Sequence, residues 1–302
     1  MKRIFVTLLA AMFLLSSGAP AEDNAKPVTY EVGEGRSLTA YLSLPHGYKE
    51  GKRCPAIFLI HGGAGVRKKG TTTGAMKTLN FPAVQEHLVK KYVVFSAEYF
   101  SDYFGDPREF QSMSAAFAAM LREPSVDPAR IAAVGVSHGG YLTLMTAMNP
   151  AVKVRIKAAV SVSGVVDVAS WADYMFGIMD IFSIARGSTS GEKEEKLDNF
   201  TSYVTDLKST LGWPPDKDEK TAESYREISV ITYCGRLAVP LLVLHGDADR
   251  LVPPSQARML KKALEKEKKA FEYHEVKEGG HLIFGKDTKT WEHIDAFLKK
   301  NL

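Results

Sequence analysis

The chain has 302 residues, 45% of them hydrophobic and 25% charged, which excludes wholesale disorder, collagen-like repeats and a coiled coil. Its formal charge of +4 comes from 39 basic and 35 acidic residues. That excess is too small for general binding of nucleic acid or anionic membranes.

Met1-Lys2-Arg3 is a short basic start, Ile4 to Leu15 is almost purely apolar, and Ala19 and Ala21 are spaced as a small-x-small cleavage site. The apolar stretch falls short of the roughly 20 residues that span a bilayer. Residues 1–21 are therefore expected to be a removable signal peptide, and the mature protein to be exported, periplasmic or secreted, without stable membrane insertion. Residues 22–302 are expected to form a single domain.

Val28 to Val32 and Leu38 to Leu44 alternate apolar and polar residues, as an antiparallel pair with one wet face does. Ala56 to Ile60, Tyr92 to Ala97, Ile131 to Val136, Ala158 to Val162 and Leu241 to Leu244 are solid apolar runs, the mark of strands covered on both faces. Phe271 to Val276 is the last strand expected. Helical patterns fall between the runs: Phe81 to Lys90, Glu109 to Leu121, Tyr141 to Met148, Ser255 to Lys268 and the C-terminal stretch carrying Trp291, Ile294 and Leu298. Such alternation predicts an α/β fold with a mostly parallel twisted sheet flanked by helices. The basic runs Arg67-Lys68-Lys69 and Lys261 to Lys269 read as solvated faces. Cys54 opens the strand ending at Ile60 and Cys234 lies just before the strand ending at Leu244; those strands are not neighbours in this arrangement, so no disulfide is expected between them.

About 70 residues, 168–237, interrupt the rhythm between two buried strands. They include Trp171, Tyr174, Met175, Ile178, Met179 and Phe182, a polar loop from Gly187 to Lys196, and further helical turns. The expectation is a helical cap insertion. Trp171, Met175, Ile178, Met179 and Phe182 would form a stripe that either roofs a site or seals the cap to the sheet.

Gly135-Val136-Ser137-His138-Gly139 follows a predicted strand and precedes a predicted helix, the context that a G-x-S-x-G nucleophile elbow requires. A serine nucleophile needs a base, and the base an orienting carboxylate. The strand ending at Leu244 runs into His245-Gly246-Asp247-Ala248-Asp249, and the last strand into Glu278-Gly279-Gly280-His281. His281 is the expected base. His46, His87 and His293 lie in surface contexts without a matching acid, His274 belongs to a strand, and His61, His138 and His245 are turn residues. Asp249 is preferred as the acid, with Asp247 pinning the turn through backbone hydrogen bonds. His61-Gly62-Gly63-Ala64-Gly65 ends a buried strand in small residues. The N–H groups of Gly63 and Ala64, with that of His138, are the expected oxyanion hole. Gly65 to Thr71 has the glycine spacing of a phosphate loop but lacks its lysine. No HExxH, CxxC or EF-hand pattern occurs, so neither metal nor other cofactor is expected.

These residues resemble the catalytic domain of the prolyl oligopeptidase family within the α/β-hydrolase superfamily, over roughly Tyr41 to Leu302. The resemblance rests on Leu44-Pro45 with Cys54 to Gly63, on Val126 to Ile131 leading into the elbow and Gly140-Tyr141, on Tyr225 to Ser229, and on His245 to Pro253. It implies an α/β-hydrolase fold with nucleophile Ser137, acid Asp249 and base His281. Two departures stand out. About 30 residues separate the signal from the core, where the oligopeptidases carry a propeller, and Glu98 to Tyr103 replaces a Tyr-Arg-Gly segment. Propeller-less relatives are commonly esterases. The function expected is hydrolysis of carboxylic esters through an acyl-enzyme. The alternative is a serine peptidase, an aminopeptidase or acyl-peptide hydrolase. The substrate is then a small ester or short peptide, and nucleic acid is no partner.

Overall fold

The computed structural model describes residues 25–67, 73–185 and 203–302. The expected signal peptide, most of the phosphate-loop-like run and the polar loop from Gly187 to Lys196 lie outside them.

Eight strands form one sheet: β1 (Lys26–Gly33), β2 (Arg36–Ser43), β3 (Cys54–Ile60), β4 (Val93–Ala97), β5 (Val126–Val136), β6 (Ala158–Val162), β7 (Leu241–Gly246) and β8 (Phe271–Val276). Their order is β1-β2-β4-β3-β5-β6-β7-β8. β1 pairs antiparallel with β2, and β2 with β4, whereas every pair from β4 to β8 is parallel. This is the α/β-hydrolase fold.

The central strands read as unbroken apolar runs because both sheet faces are covered. Along β3 the side chains alternate between two separate cores: Ala56, Phe58 and Ile60 face one, Ile57 and Leu59 the other. The first core also takes Met113 and Phe117 of the Pro107–Met120 helix and Leu142 and Met145 of the His138–Met148 helix. The second is closed by Trp291, Ile294 and Leu298 of the Thr288–Asn301 helix. The Ser255–Lys266 helix buries Ala257, Leu260 and Leu264, the stripe its spacing predicts.

Two details differ from expectation. The stretch from Phe81 to Lys90 is a short helix, Pro82–Val84, followed by a π-helical turn, Gln85–Val89, in which the N–H of Lys90 bonds back to the carbonyl of Gln85. The Gly74–Leu79 helix went unpredicted. It begins at glycine, has no side-chain cap and is too short to show a period. Cys54 and Cys234 are free thiols; β5 and β6 separate β3, which Cys54 opens, from β7, which Cys234 precedes.

The 168–237 segment leaves β6 as the Val168–Ala185 helix and returns through the Glu219–Glu227 helix and a 3-10 turn, Val230–Arg236. Trp171 and Met175 are buried in the first core, and Ile178 is half-buried. The side chains of Met179 and Phe182 lie outside the described residues.

Candidate active site

β5 ends in Gly135-Val136 and the next helix starts at His138, so Ser137 occupies the turn between them. Its backbone sits at φ 58, ψ −120, a region that side-chain-bearing residues rarely adopt and that costs strain wherever the surroundings impose it. The flanking glycines follow from crowding. A Cβ at Gly135 would stand 2.1 Å from the carbonyl oxygen of Gly139, and one at Gly139 would stand 2.1 Å from that of Ile60.

Three of the predicted residues, from loops after three different strands, meet in a line. His281, on the loop after β8, places Nε2 2.8 Å from Ser137 Oγ and Nδ1 2.8 Å from Asp249 Oδ2. Because an ionised carboxylate only accepts, Nδ1 carries the proton and Nε2 is left to accept from the serine hydroxyl. Asp249 Oδ1 takes the backbone N–H groups of Leu251 at 2.9 Å and Val252 at 3.0 Å, which locks the carboxylate in orientation. His245 Nε2 donates to the carbonyl of Val252 and lies 3.4 Å from Asp249 Oδ2. Burial alone pushes the Asp249 carboxyl upward, but the imidazoles of His281 and His245 outweigh it and hold the group well below the usual carboxylate range.

The turn-pinning role expected of Asp247 belongs to Asp249 itself. Asp247 is exposed, and its own N–H bonds to the carbonyl of Val276. His87 also departs from expectation, because it has an acid partner: its Nδ1 is 2.7 Å from Asp295. His274 stacks on His293, with ring centroids 3.7 Å apart.

Gly63, Ala64, Ser137, His138 and His281 line one cavity of about 40 Å³ with Phe104, Val165, Trp171, Tyr203, Leu251 and Val252. The predicted oxyanion donors and the serine thus share a pocket. Its walls are tied down: Trp171 Nε1 donates to the carbonyl of Leu251, and Phe104 stacks on His138 at 4.4 Å and packs against Trp171 at 4.7 Å. No carboxylate lines it among the described residues. Nor do the described residues hold a group of His, Cys, Asp and Glu suited to a metal ion.

Sequence reasoning missed the polar residues behind this pocket. His138 Nε2 is 3.0 Å from Glu109 Oε1 and His61 Nε2 is 3.1 Å from Glu98 Oε2, all four side chains being buried. Neither contact has hydrogen-bond alignment, so each is a close approach of imidazole and carboxylate. Tyr203, from the insertion, reaches Ser101 Oγ at 2.7 Å, His138 Nδ1 at 3.1 Å and Glu109 Oε1 at 3.3 Å. Glu98 carries a faint signal in the sequence, as a carboxylate directly after a fully apolar strand. Glu109 reads as an ordinary acid in a first helical turn, and Tyr203 has no pattern around it.

A family model designated BD-FAE, esterase-like within the α/β hydrolases, matches residues 42–264. The chain is 25% identical to the uncharacterized peptidase YuxL of Bacillus subtilis (strain 168) over 255 residues, which make up 79% of this chain and 32% of that protein. Pyrococcus horikoshii acylaminoacyl peptidase superposes with a TM-score of 0.65 at 20% identity, covering 92% of this chain and 41% of that one. Thermogutta terrifontis esterase 2 superposes with a TM-score of 0.63 at 19% identity, covering 93% of this chain and 96% of that one. This chain therefore spans less than half the length of either peptidase. The structural likenesses establish the fold.

Proposed function

Because the chain belongs to the BD-FAE family of α/β hydrolases, of the esterase and peptidase type, we propose that it is a serine hydrolase of carboxylic esters. The observation that carries this reading is the unbroken line from Ser137 through His281 to Asp249, two contacts of 2.8 Å ending on a serine with a strained backbone. In the reaction, His281 Nε2 takes the Ser137 proton as Oγ attacks the ester carbonyl. The oxyanion is held by the N–H groups of His138, Gly63 and Ala64. The protonated His281 then gives its proton to the departing alkoxide, leaving an acyl-enzyme on Ser137. Water, activated by the same imidazole, releases the acid. Asp249 keeps the imidazole in the productive tautomer.

An ester is favoured over a peptide because the pocket walls are largely apolar and aromatic and, among the described residues, carry no carboxylate to anchor an amino terminus. Its small volume suits a short acyl chain. The 168–237 segment serves as a cap, for its Trp171 and Tyr203 both line the pocket. The pattern of residues 1–21 makes the enzyme an exported one, and amino-terminal sequencing of the mature protein, recovered outside the cytoplasm, is expected to start at Glu22.

The test is turnover of an aryl acetate and an aminoacyl anilide at equal concentration by wild type and Ser137→Ala. The reading expects preference for the ester, and loss of at least about a thousandfold in the variant. A variant keeping a tenth of the wild-type rate would refute Ser137 as nucleophile, and preference for the anilide would reverse the substrate class.

A further inference from the structure

The loop that supplies two of the oxyanion donors has its carbonyls tied down one after another. The Tyr99 hydroxyl, on a fully buried ring, donates to the carbonyl of Gly63 at 2.9 Å and approaches that of His61 at 3.2 Å. His61 Nδ1 lies 2.9 Å from the carbonyl oxygen of Gly62. His138 Nδ1 lies 3.1 Å from the carbonyl oxygen of Gly63. A carbonyl only accepts, so both imidazoles present an N–H at Nδ1. Each is held in place by a buried glutamate at its other nitrogen, Glu98 for His61 and Glu109 for His138. The Tyr99 and His61 rings also stack, 4.5 Å apart.

A trans peptide unit is planar, and its C=O and the following N–H point in opposite directions. Whatever grips the Gly63 carbonyl from behind therefore aims the N–H of Ala64 the other way. The same holds for the Gly62 carbonyl and the N–H of Gly63. Gly63 and Ala64 both line the cavity over Ser137, and Gly63 sits at φ +80, where few backbone restraints hold a glycine by themselves. Free to rotate, that peptide would have to reorganise as the oxyanion forms. Held, it presents a donor at no further cost.

We infer that Tyr99 and the His138–Glu109 pair are positioning residues that fix the plane of the Gly63–Ala64 peptide, so that its N–H meets the oxyanion of the tetrahedral intermediate. The inference rests on the serine-hydrolase reading. It gives His138 two separate tasks. Its backbone N–H is one donor of the hole, and its side chain steers another. It also accounts for the Glu98-Tyr99 pair following β4, where the tyrosine acts on the loop through its hydroxyl.

Tyr99→Phe removes one oxygen atom from the ring, and His138→Gln keeps the backbone donor while replacing the imidazole. Both are measured for kcat and KM on an aryl acetate, normalised to active sites titrated with a phosphonate, and for inhibition by a trifluoromethyl ketone that forms a tetrahedral adduct on the serine. Positioning predicts that kcat per titrated site falls by about 10- to 100-fold, less than the loss for deleting a donor outright. KM stays within about twofold, and the inhibitor weakens by the same factor as kcat/KM. A merely structural role predicts fewer titrated sites and a lower Tm, with kcat per site and inhibition unchanged. That result in either folded variant overturns the inference. Loss of ester turnover in Ser137→Ala distinguishes this failure from failure of the serine-hydrolase reading, which Ser137→Ala tests alone.

Discussion

Two buried histidine–carboxylate pairs flank Ser137, and they are built for opposite purposes. In the His281–Asp249 pair the contact is an aligned hydrogen bond of 2.8 Å, and the far nitrogen faces the serine hydroxyl. In the His138–Glu109 pair the 3.0 Å contact is not aligned, and the far nitrogen is occupied by the Gly63 carbonyl and the Tyr203 hydroxyl. One imidazole has a nitrogen against the serine hydroxyl. The other has Nδ1 held by the scaffold and Nε2 beside Glu109 without a hydrogen bond, and neither nitrogen bonds the serine. Proximity to the serine is thus no guide to which histidine moves a proton. What separates them is whether a nitrogen meets the serine hydroxyl.

The largest effect that separates the two pairs is expected at Asp249. Asp249→Asn lets His281 settle in the wrong tautomer, and kcat is expected to fall by about 10³- to 10⁴-fold. Asp247→Asn, on an exposed side chain two residues away, is expected to stay within about threefold of wild type. Steady-state kinetics on an aryl ester checks both, and the reverse order would move the acid to Asp247.

The next effect is expected at Glu109. Glu109→Gln replaces a fully buried carboxylate that sits beside His138 and accepts from Ser101 and Tyr203, a change expected to cost about 1–3 kcal/mol. Each kcal/mol lowers Tm by about 2–4 °C in a chain of this size. The activity of the folded fraction is expected to fall by only about tenfold, because its proton carrier is intact. Melting curves read with titrated kinetics check this. A loss as deep as that of Asp249→Asn would make His138 the base.

A smaller effect is expected in acid. The folded-state value of Asp249 is depressed, so the stability it contributes is present above the unfolded value of about 3.9 and is lost as pH falls below it. Over that range the unfolded chain takes up a proton that native Asp249 refuses. Asp249→Asn removes this linkage, and urea unfolding between about pH 5 and 2 is expected to show a shallower decline for the variant than for wild type. Parallel curves would mean that the carboxylate gains nothing from its imidazoles.

The smallest effect concerns the pocket wall. Trp171→Phe opens space beside Phe104, and each further methylene admitted is worth about 0.8 kcal/mol, or roughly fourfold in kcat/KM. A chain-length series of aryl esters is expected to shift toward longer acyl groups. An unchanged preference would place the acyl chain elsewhere.

The same contrast describes what could be read from the chain beforehand. The strands from Ala56 to Leu244 are visible because burial on both faces leaves unbroken apolar runs. Ser137, Asp249 and His281 are visible because each follows such a strand on a loop with its own local chemistry, and the fold brings all three together. The support around them is not visible. Glu98, Glu109, Tyr99 and Tyr203 meet only through long-range packing, over separations such as 65 residues between His138 and Tyr203. Apart from the place of Glu98 directly after an apolar strand, no periodicity or motif marks them, and a buried glutamate in a first helical turn looks like an exposed one. The aromatic stripe of the insertion was half legible. Trp171 reaches the pocket, but Met175 packs in the core, because an 18-residue helix cannot turn all its apolar residues to one side.

The central claim is that Ser137 is the nucleophile and His281 its base. Reaction with an aryl phosphonate, followed by intact mass and peptide mapping, tests it directly. The account predicts one phosphonyl group per chain, carried on Ser137, formed far more slowly in His281→Ala and at the wild-type rate in His87→Ala. A label on any other residue, or undiminished labelling in His281→Ala, would contradict it.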